Sequence, residues 1–294
     1  MPPKISVCIP VYKNDDYILE TVDSILNQTF QDFEIILLDD GSPDKNKTWN
    51  AISSINNNKI KAFKQTNTGI AGAKNACVAK SQGELIAFCD HDDLWKPNKL
   101  QKQVEIFDSN KEIGFCFSSF TRFNKKEGEL KTLPKKSVDD DIFLWAVKKS
   151  YMFTSTIMLR KSLWDELKGY DTSYTLVDDY DFHLRMAYFT KGFFIEQSLV
   201  LYRLHEFNTS RSSESYIKYP KEKERIFRYW LSKKNISSAR KKAVRKRLGK
   251  VYFDMSNRFY NKKKDTKNHK KYLYKAWCLD KTNFRYLSRL IRSI

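Results

Sequence analysis

Through the first 110 residues, short apolar runs rich in β-branched side chains alternate with stretches whose apolar residues recur at helical spacing. Ile5-Ser-Val-Cys-Ile-Pro-Val11 alternates as a strand does. Phe33-Glu-Ile-Ile-Leu-Leu38, Ile60 to Phe63 and Leu85 to Cys89 read as further strands, mostly buried. Between them, Ile18, Leu19, Val22, Ile25 and Leu26 share one helix face, with Asn14 to Asp16 offering N-caps. Trp49, Ile52 and Ile55 mark a second helix, Gly69 and Gly72 open a third running to about Ser81, and Pro97 begins a fourth to about Phe107. Parallel neighbours need a crossover, and a helix is the usual one, so the alternation predicts an α/β layered domain with a mostly parallel central sheet. Further strands are expected at Gly114 to Arg122 and Phe153 to Leu159, with a charged loop, Glu127 to Asp141, between them.

In such an architecture ligands bind beyond the carboxyl ends of the strands, and the chain gathers acids there. Asp39-Asp40 closes the second strand. Asp90, Asp92 and Asp93 follow the run that ends at Cys89. A buried strand should not end in three unpaired charges, because desolvating a carboxylate is costly. The simplest partner is a divalent cation, Mg2+ or Mn2+, which is commonly held by one or two carboxylates plus substrate phosphates. The plainer reading is an acidic loop capping the helix beyond Trp95. Asp178 and Asp179 precede an amphipathic stretch, Phe182 to Tyr188. They cap that helix or, aimed at a metal–phosphate site, supply a general base. Leu201-Tyr-Arg-Leu-His205 ends a strand with a basic pair, Arg203 and His205, suited to a phosphate or a metal. An ordinary surface imidazole is the alternative for His205.

Bulk properties narrow the class. The chain has 294 residues and is 41% hydrophobic, which suits one large globular domain or a domain with an appendage. No apolar run approaches the roughly 20 residues that span a bilayer, and no signal peptide is read before the first strand. Five cysteines, never in a C-x-x-C pair, predict reduced thiols in a cytosolic protein and no zinc site. Residues 1–210 carry 27 Lys/Arg against 29 Asp/Glu, whereas residues 211–294 carry 27 against 6. A soft boundary is placed near Ser210. Basic helices are expected beyond it, at about Glu222 to Ser232, Ser238 to Tyr260 and His269 to Leu279. Their aromatics read as ordinary core. Their excess of cations suits a polyanion: an anionic membrane surface, nucleic acid or a charged glycan. No nucleic-acid fold signature accompanies it.

Six segments in one order complete the reading: Ile9-Pro-Val-Tyr-Lys-Asn14, Leu38-Asp-Asp-Gly-Ser42, Asn67-Thr-Gly-Ile-Ala-Gly-Ala-Lys-Asn75, Asp90-His-Asp-Asp93, Asp178-Asp-Tyr-Asp181 and Tyr202-Arg-Leu-His205. Together they resemble the family 2 glycosyltransferases over about residues 4–210. The resemblance implies a GT-A fold, a Rossmann-like nucleotide-diphospho-sugar transferase, in residues 1–212, followed by a basic helical region, 213–294. It implies an inverting, metal-dependent enzyme taking a nucleotide sugar, with a UDP-sugar as the default donor. The acceptor would be a saccharide or lipid-linked saccharide of bacterial surface polysaccharide. Pro10, Val11 and Tyr12 would line the nucleotide pocket. Asp39 would bond the nucleobase, with Asp40 supporting its loop. Lys74, where the family usually has Arg, would lie near the diphosphate, and Asp90 would face the ribose. Asp92 and His205 would hold Mn2+ or Mg2+, with Asp93 beside them. Asp179 would be the catalytic base, and Asp178 stands where Glu is commoner. Gly69 and Gly72 would let amides at a helix start approach phosphate. The basic region would hold the enzyme peripherally on the cytoplasmic face of the cell membrane. The competing reading is a nucleic-acid- or polyanion-binding α/β protein that uses the basic tail.

Overall fold

The strand β1 (Ile5–Val11) lies near the middle of a parallel layer. It pairs with β2 (Phe33–Asp39) on one side and β4 (Leu85–Phe88) on the other, and β3 (Ile60–Lys64) extends β2 outward. The crossovers are the helices that sequence periodicity predicts: α1 (Ile18–Leu26), α2 (Lys47–Ser53) and α3 (Gly69–Ala79). The computed structural model describes residues 1–13, 17–134, 138, 140–148, 152–205 and 215–293. The N-cap reading at Asn14 to Asp16 and the expected boundary at 212/213 lie outside these residues.

The chain continues through β5 (Leu94–Trp95), α4 (Lys99–Ser109), β6 (Ile113–Asn124), β7 (Gly128–Leu133) and α5 (Ile142–Lys148). A 3-10 turn at Thr154–Thr156 leads to β8 (Met158–Arg160), α6 (Lys161–Leu167), α7 (Asp178–Phe189) and β9 (Lys191–Arg203). The described strands form one sheet in the order β3-β2-β1-β4-β8-β6-β9-β5, with β7 on β6. The expected parallel arrangement holds across β3-β2-β1-β4 and between β6 and β9. The pairings β4–β8, β6–β8, β6–β7 and β5–β9 are antiparallel, which makes the sheet mixed. Strand β7 replaces part of the loop expected at Glu127 to Asp141. Five of its six residues are exposed, so no apolar alternation marks it. Its hairpin is set by Asn124 Oδ1, which accepts from the amides of Lys126 and Glu127.

Strand alternation sorts the core. Ile5, Val7, Ile9 and Val11 pack with Ile35 and Leu37 under Ile18, Val22 and Ile25 of α1 and Leu100, Val104 and Phe107 of α4. Cys8, Cys77, Cys89 and Cys116 are buried free thiols, and Cys278 is a free thiol on the surface. Burial pushes Cys8 and Cys116 up to about 12, which leaves them protonated and inert.

By internal contacts the chain divides into two units, Met1–Ile142 with Tyr151–His205, and Phe143–Ser150 with Glu206–Ile294. The second unit is helical: α8 (Ser215–Ser232), α9 (Ser238–Lys263), α10 (Thr266–Leu279) and α11 (Phe284–Ile291). Ser237 and Asp265 cap α9 and α10 through the amides of Arg240 and Asn268. Trp230, Val244, Leu248, Tyr252, Leu273 and Tyr286 are buried, and the rings of Phe253 and Tyr286 stack at 4.9 Å. Part of the tail's aromatic content therefore builds a core, while Tyr229, Tyr260, Tyr274 and Phe284 remain exposed.

One buried cation in the first unit is unexpected. Lys99 is fully enclosed; its Nζ donates to Gln103 Oε1 at 2.7 Å and lies 3.6 Å from the centre of the Trp95 ring. Burial pulls its pKa from 10.5 down to about 7. Between those values the unfolded chain binds a proton that the native chain does not, so this group makes stability rise with pH across that window. Replacing Lys99 with Met keeps the volume and removes the charge. Lys99→Met is expected to stabilise the protein at pH 7 by about 1–3 kcal/mol, net of one orphaned Gln103 acceptor. Thermal melts should show that gain shrinking toward pH 10. A gain that grows with pH would contradict the burial argument.

Candidate active site

The pairing register brings the acidic loops to one end of the sheet. Val11 pairs with Asp39 and Cys8 with Phe88, so Tyr12, Asp39-Asp40 and the Asp90–Asp93 loop leave β1, β2 and β4 side by side. Asp39 is wholly buried. Its Oδ1 accepts the Ser42 amide at 2.9 Å. Its Oδ2 has no hydrogen-bond donor, and the nearest cation, Lys64 Nζ, stands 3.9 Å away.

Asp40 is spent on the protein. Its Oδ1 accepts from Gln65 Nε2 at 2.7 Å, the Thr68 amide at 2.9 Å and Thr68 Oγ1 at 3.1 Å, and its Oδ2 accepts the Gly69 amide at 3.1 Å. This corrects the phosphate reading of Gly69, because its amide and that of Thr68 are already taken by a carboxylate. Gly41 makes the geometry possible. Its φ is +69°, and a Cβ there would sit 2.7 Å from the Asn67 nitrogen.

Pro10, Val11 and Tyr12, at the end of β1 and just beyond it, differ in what they offer. Val11 sits in the core, and its carbonyl accepts the Asp40 amide at 2.9 Å. Its side chain therefore cannot line a pocket. Pro10 is half-buried, and Tyr12 is exposed.

The acids after β4 split by direction. Asp93 turns inward: it is fully buried, its Oδ2 accepts from Ser155 Oγ at 2.5 Å, and its Oδ1 accepts the Arg203 amide at 3.1 Å. Burial, with Asp92 and Asp90 beside it, holds its carboxyl well above the usual range. It is a structural acid and not a companion ligand. Arg203 is equally internal. Its Nε donates to the Asp92 carbonyl at 2.7 Å and its Nη2 to Glu20 Oε2 at 2.7 Å, so its expected role at a phosphate is corrected to one of holding the loop. Asp92 instead meets His205, whose Nε2 lies 2.7 Å from Asp92 Oδ2.

Asp90, Asp178, Asp179 and Lys74 come together from three elements. Lys74, on α3, is buried with its Nζ 3.6 Å from Asp178 Oδ2 and 4.8 Å from the centre of the Tyr170 ring. Burial opposes its charge, yet Tyr170, Asp178, Asp90 and Asp179 together raise its pKa. Burial lifts Asp90 to about 6; Lys74 opposes that, and Asp92, Asp179 and Asp178 add to it. Asp178 is raised by burial as well, and its Oδ2 has no hydrogen-bond donor. Asp179 is half-exposed at the start of α7, with Oδ1 accepting the Tyr180 amide at 2.6 Å. Both acids thus occupy a helix N-terminus, where the macrodipole favours them.

Among the described residues no group of three or more His, Cys, Asp or Glu side chains is arranged to hold a metal. The Asp92–His205 pair provides one hard oxygen and one imidazole nitrogen. That donor set suits Mn2+ or Mg2+ when substrate phosphates and water complete the shell. Ser155 and Tyr170 are participants that sequence reading missed. Ser155 lies 62 residues from Asp93 along the chain, and no local pattern announces such a contact.

Residues 6–167 match the family described as Glycosyl transferase family 2. An uncharacterized glycosyltransferase of Nostoc sp. is 31% identical over 225 residues, covering 72% of this chain and 68% of that protein. The Escherichia coli UDP-Glc:alpha-D-GlcNAc-diphosphoundecaprenol beta-1,3-glucosyltransferase WfaP is 36% identical over 117 residues, 40% of this chain and 45% of WfaP. Two solved structures share the fold. One is residues 1–349 of Staphylococcus aureus TarS in complex with UDP, with a TM-score of 0.71 at 16% identity, covering 99% of this chain and 88% of that one. The other is the mannosyltransferase PcManGT of Pyrobaculum calidifontis with GDP-Man and Mn2+, with a TM-score of 0.64 at 14% identity, covering 100% and 84%. The mixed sheet, the family match and these relatives agree, and the chain belongs to glycosyl transferase family 2 as a glycosyltransferase of GT-A fold.

Proposed function

We propose that this glycosyltransferase moves a hexosyl or N-acetylhexosaminyl group from a UDP-sugar to a saccharide or lipid-linked saccharide acceptor in bacterial surface polysaccharide synthesis. The anomeric centre is inverted, and Mn2+ or Mg2+ is required. One observation carries the reading: Asp90, Asp178 and Asp179 gather around a single buried lysine, Lys74, and burial, reinforced by the neighbouring carboxylates, lifts Asp90 to about 6. Such a cluster is stable only if its excess negative charge is put to use.

The proposed roles draw on these observations. Asp39 keeps a buried oxygen without a donor, which suits the ring N–H of a uracil. Tyr12 offers an exposed ring beside it. Pro10 and the backbone of Val11 wall that end of the sheet. Asp90 takes the ribose hydroxyls, and Lys74 lies on the diphosphate side. Asp92 and His205 are the groups that would hold the divalent cation, which supplies charge neutralisation for the departing diphosphate. Asp179 accepts the proton of the acceptor hydroxyl as its oxygen attacks the anomeric carbon and the bond to the diphosphate oxygen breaks. A single displacement of that kind inverts the centre.

The relatives point the same way. WfaP is named for a UDP-Glc donor and a diphosphoundecaprenol acceptor, TarS was captured with UDP, and PcManGT with Mn2+. Among the described residues no helix is long and apolar enough to cross a membrane. A lipid-linked acceptor would be met by peripheral attachment at the cytoplasmic face. The domain division proposed is a catalytic domain, 1–212, and a basic helical region, 213–294.

Release of nucleoside diphosphate from a panel of sugar nucleotides tests the donor. One UDP-sugar is expected to turn over with Mn2+ and not with chelator. If calorimetry finds no sugar nucleotide bound by the folded protein in the presence of Mn2+, the proposal fails. Asp179→Asn should lower turnover by about 10²–10⁴-fold while donor affinity and the melting temperature stay near wild type. An Asp179→Asn enzyme of normal rate would remove that residue from the base role. His205→Ala should raise the Mn2+ concentration for half-maximal activity by about tenfold or more. An unchanged Mn2+ dependence would release His205 from the metal.

A further inference from the structure

Within the helical unit, α5 and α9 enclose a groove of about 490 Å³ lined by Leu144 and Lys148 on one side and by Ala239, Lys242, Ala243, Lys246, Arg247 and Lys250 on the other. That volume is in the range of small-ligand sites. Five of the eight lining residues are cations, and none is acidic. Lys242, Lys246 and Lys250 follow one another at intervals of four along α9, so like charges stack on one helix face. This arrangement destabilises an isolated helix. Lys250 has an acid within reach, Asp254, whose Oδ2 is 3.9 Å from its Nζ. Ala239 and Ala243 leave space in the groove that larger side chains on α9 would fill. Arg247 turns its Nε inward, where the N–H is buried without an acceptor. The other side of α9 supplies core residues, Val244, Leu248, Val251 and Tyr252. The cations of the groove therefore face a concavity of their own.

The geometry points to a binding site for a phosphoryl anion, a diphosphate or phosphodiester group, in the α5–α9 groove. Clustered lysines attract such a group as point charges, and the guanidinium of Arg247, which also lines the groove, adds planar N–H donors. Leu144 and the two alanines give it an apolar border, which suits a phosphate carried on a lipid as well as a free one. This site is separate from the donor chemistry proposed above, and its test does not depend on turnover.

Calorimetric titration of the full chain with inorganic pyrophosphate, without divalent cation, is the first arm. Sedimentation with phosphatidylglycerol vesicles is the second. Lys242→Gln with Lys246→Gln should weaken binding by about tenfold or more. Lys241→Gln with Arg245→Gln removes the same charge from positions of α9 outside the groove, and should change binding by less than about twofold. These side chains lie at or near the surface, and thermal melts of both pairs should match wild type. That pattern with pyrophosphate supports the site for the free anion. The same pattern with vesicles alone supports it for a lipid headgroup. Equal loss in the two pairs, or no binding in either arm by the folded protein, overturns it. Nucleoside diphosphate release, measured in parallel, is expected to be unchanged in the groove variant.

Discussion

The buried guanidinium of Arg203 is the interaction on which the acidic end of the sheet depends. It reaches from the last residue of β9 to the Asp92 carbonyl and to Glu20, while its own amide meets Asp93. A fully enclosed arginine is tolerated only when its donors are satisfied. Satisfying them here joins β9, α1 and the loop after β4. With Ser155 bonded to both Asp93 and the Asp90 amide, the loop has one arrangement, and Asp92 is presented to His205.

A second constraint is the concentration of charge that this arrangement creates. Asp40 has both oxygens hydrogen-bonded by local donors, among them the Gly69 amide that opens α3. Asp93 is pinned and pushed toward its neutral form. Asp90, Asp178 and Asp179 lie around Lys74, and burial holds Asp90 and Asp178 above their ordinary pKa. Electrostatic strain of this kind concentrates where a protein binds cations or handles protons. The rest of the α/β unit supplies the rigidity that tolerates it, through a core in which most β1 and β2 side chains are inaccessible.

Much of the fold was legible in the chain. The strands β1, β2 and β4 are apolar runs buried along nearly their whole length, and α1 carries its buried positions at helical spacing, so both signals survive in the structure. The missed elements lack that signal. β7 is solvent-facing along most of its length, β5 is two residues long, and α5 and α6 are each seven residues, too short to show a helical period. The antiparallel half of the sheet was illegible for a related reason: strand order is set by contacts across distant sequence, such as β8 entering between β4 and β6.

The sequence by itself determined that an α/β layered domain would carry acids at its strand ends, because periodicity and local composition are properties of neighbouring residues. It also determined that a basic helical tail would follow. Tertiary structure decided which acids are available. Asp92 and Asp93 are adjacent in sequence, yet one faces His205 and the other is buried against Ser155 and the Arg203 amide. Asp39 keeps an oxygen without a donor while Asp40 gives both of its own to the protein. Consecutive residues project in different directions, and what each direction meets is supplied by segments far away in the chain. The work of desolvating each carboxylate is therefore set only when those segments pack.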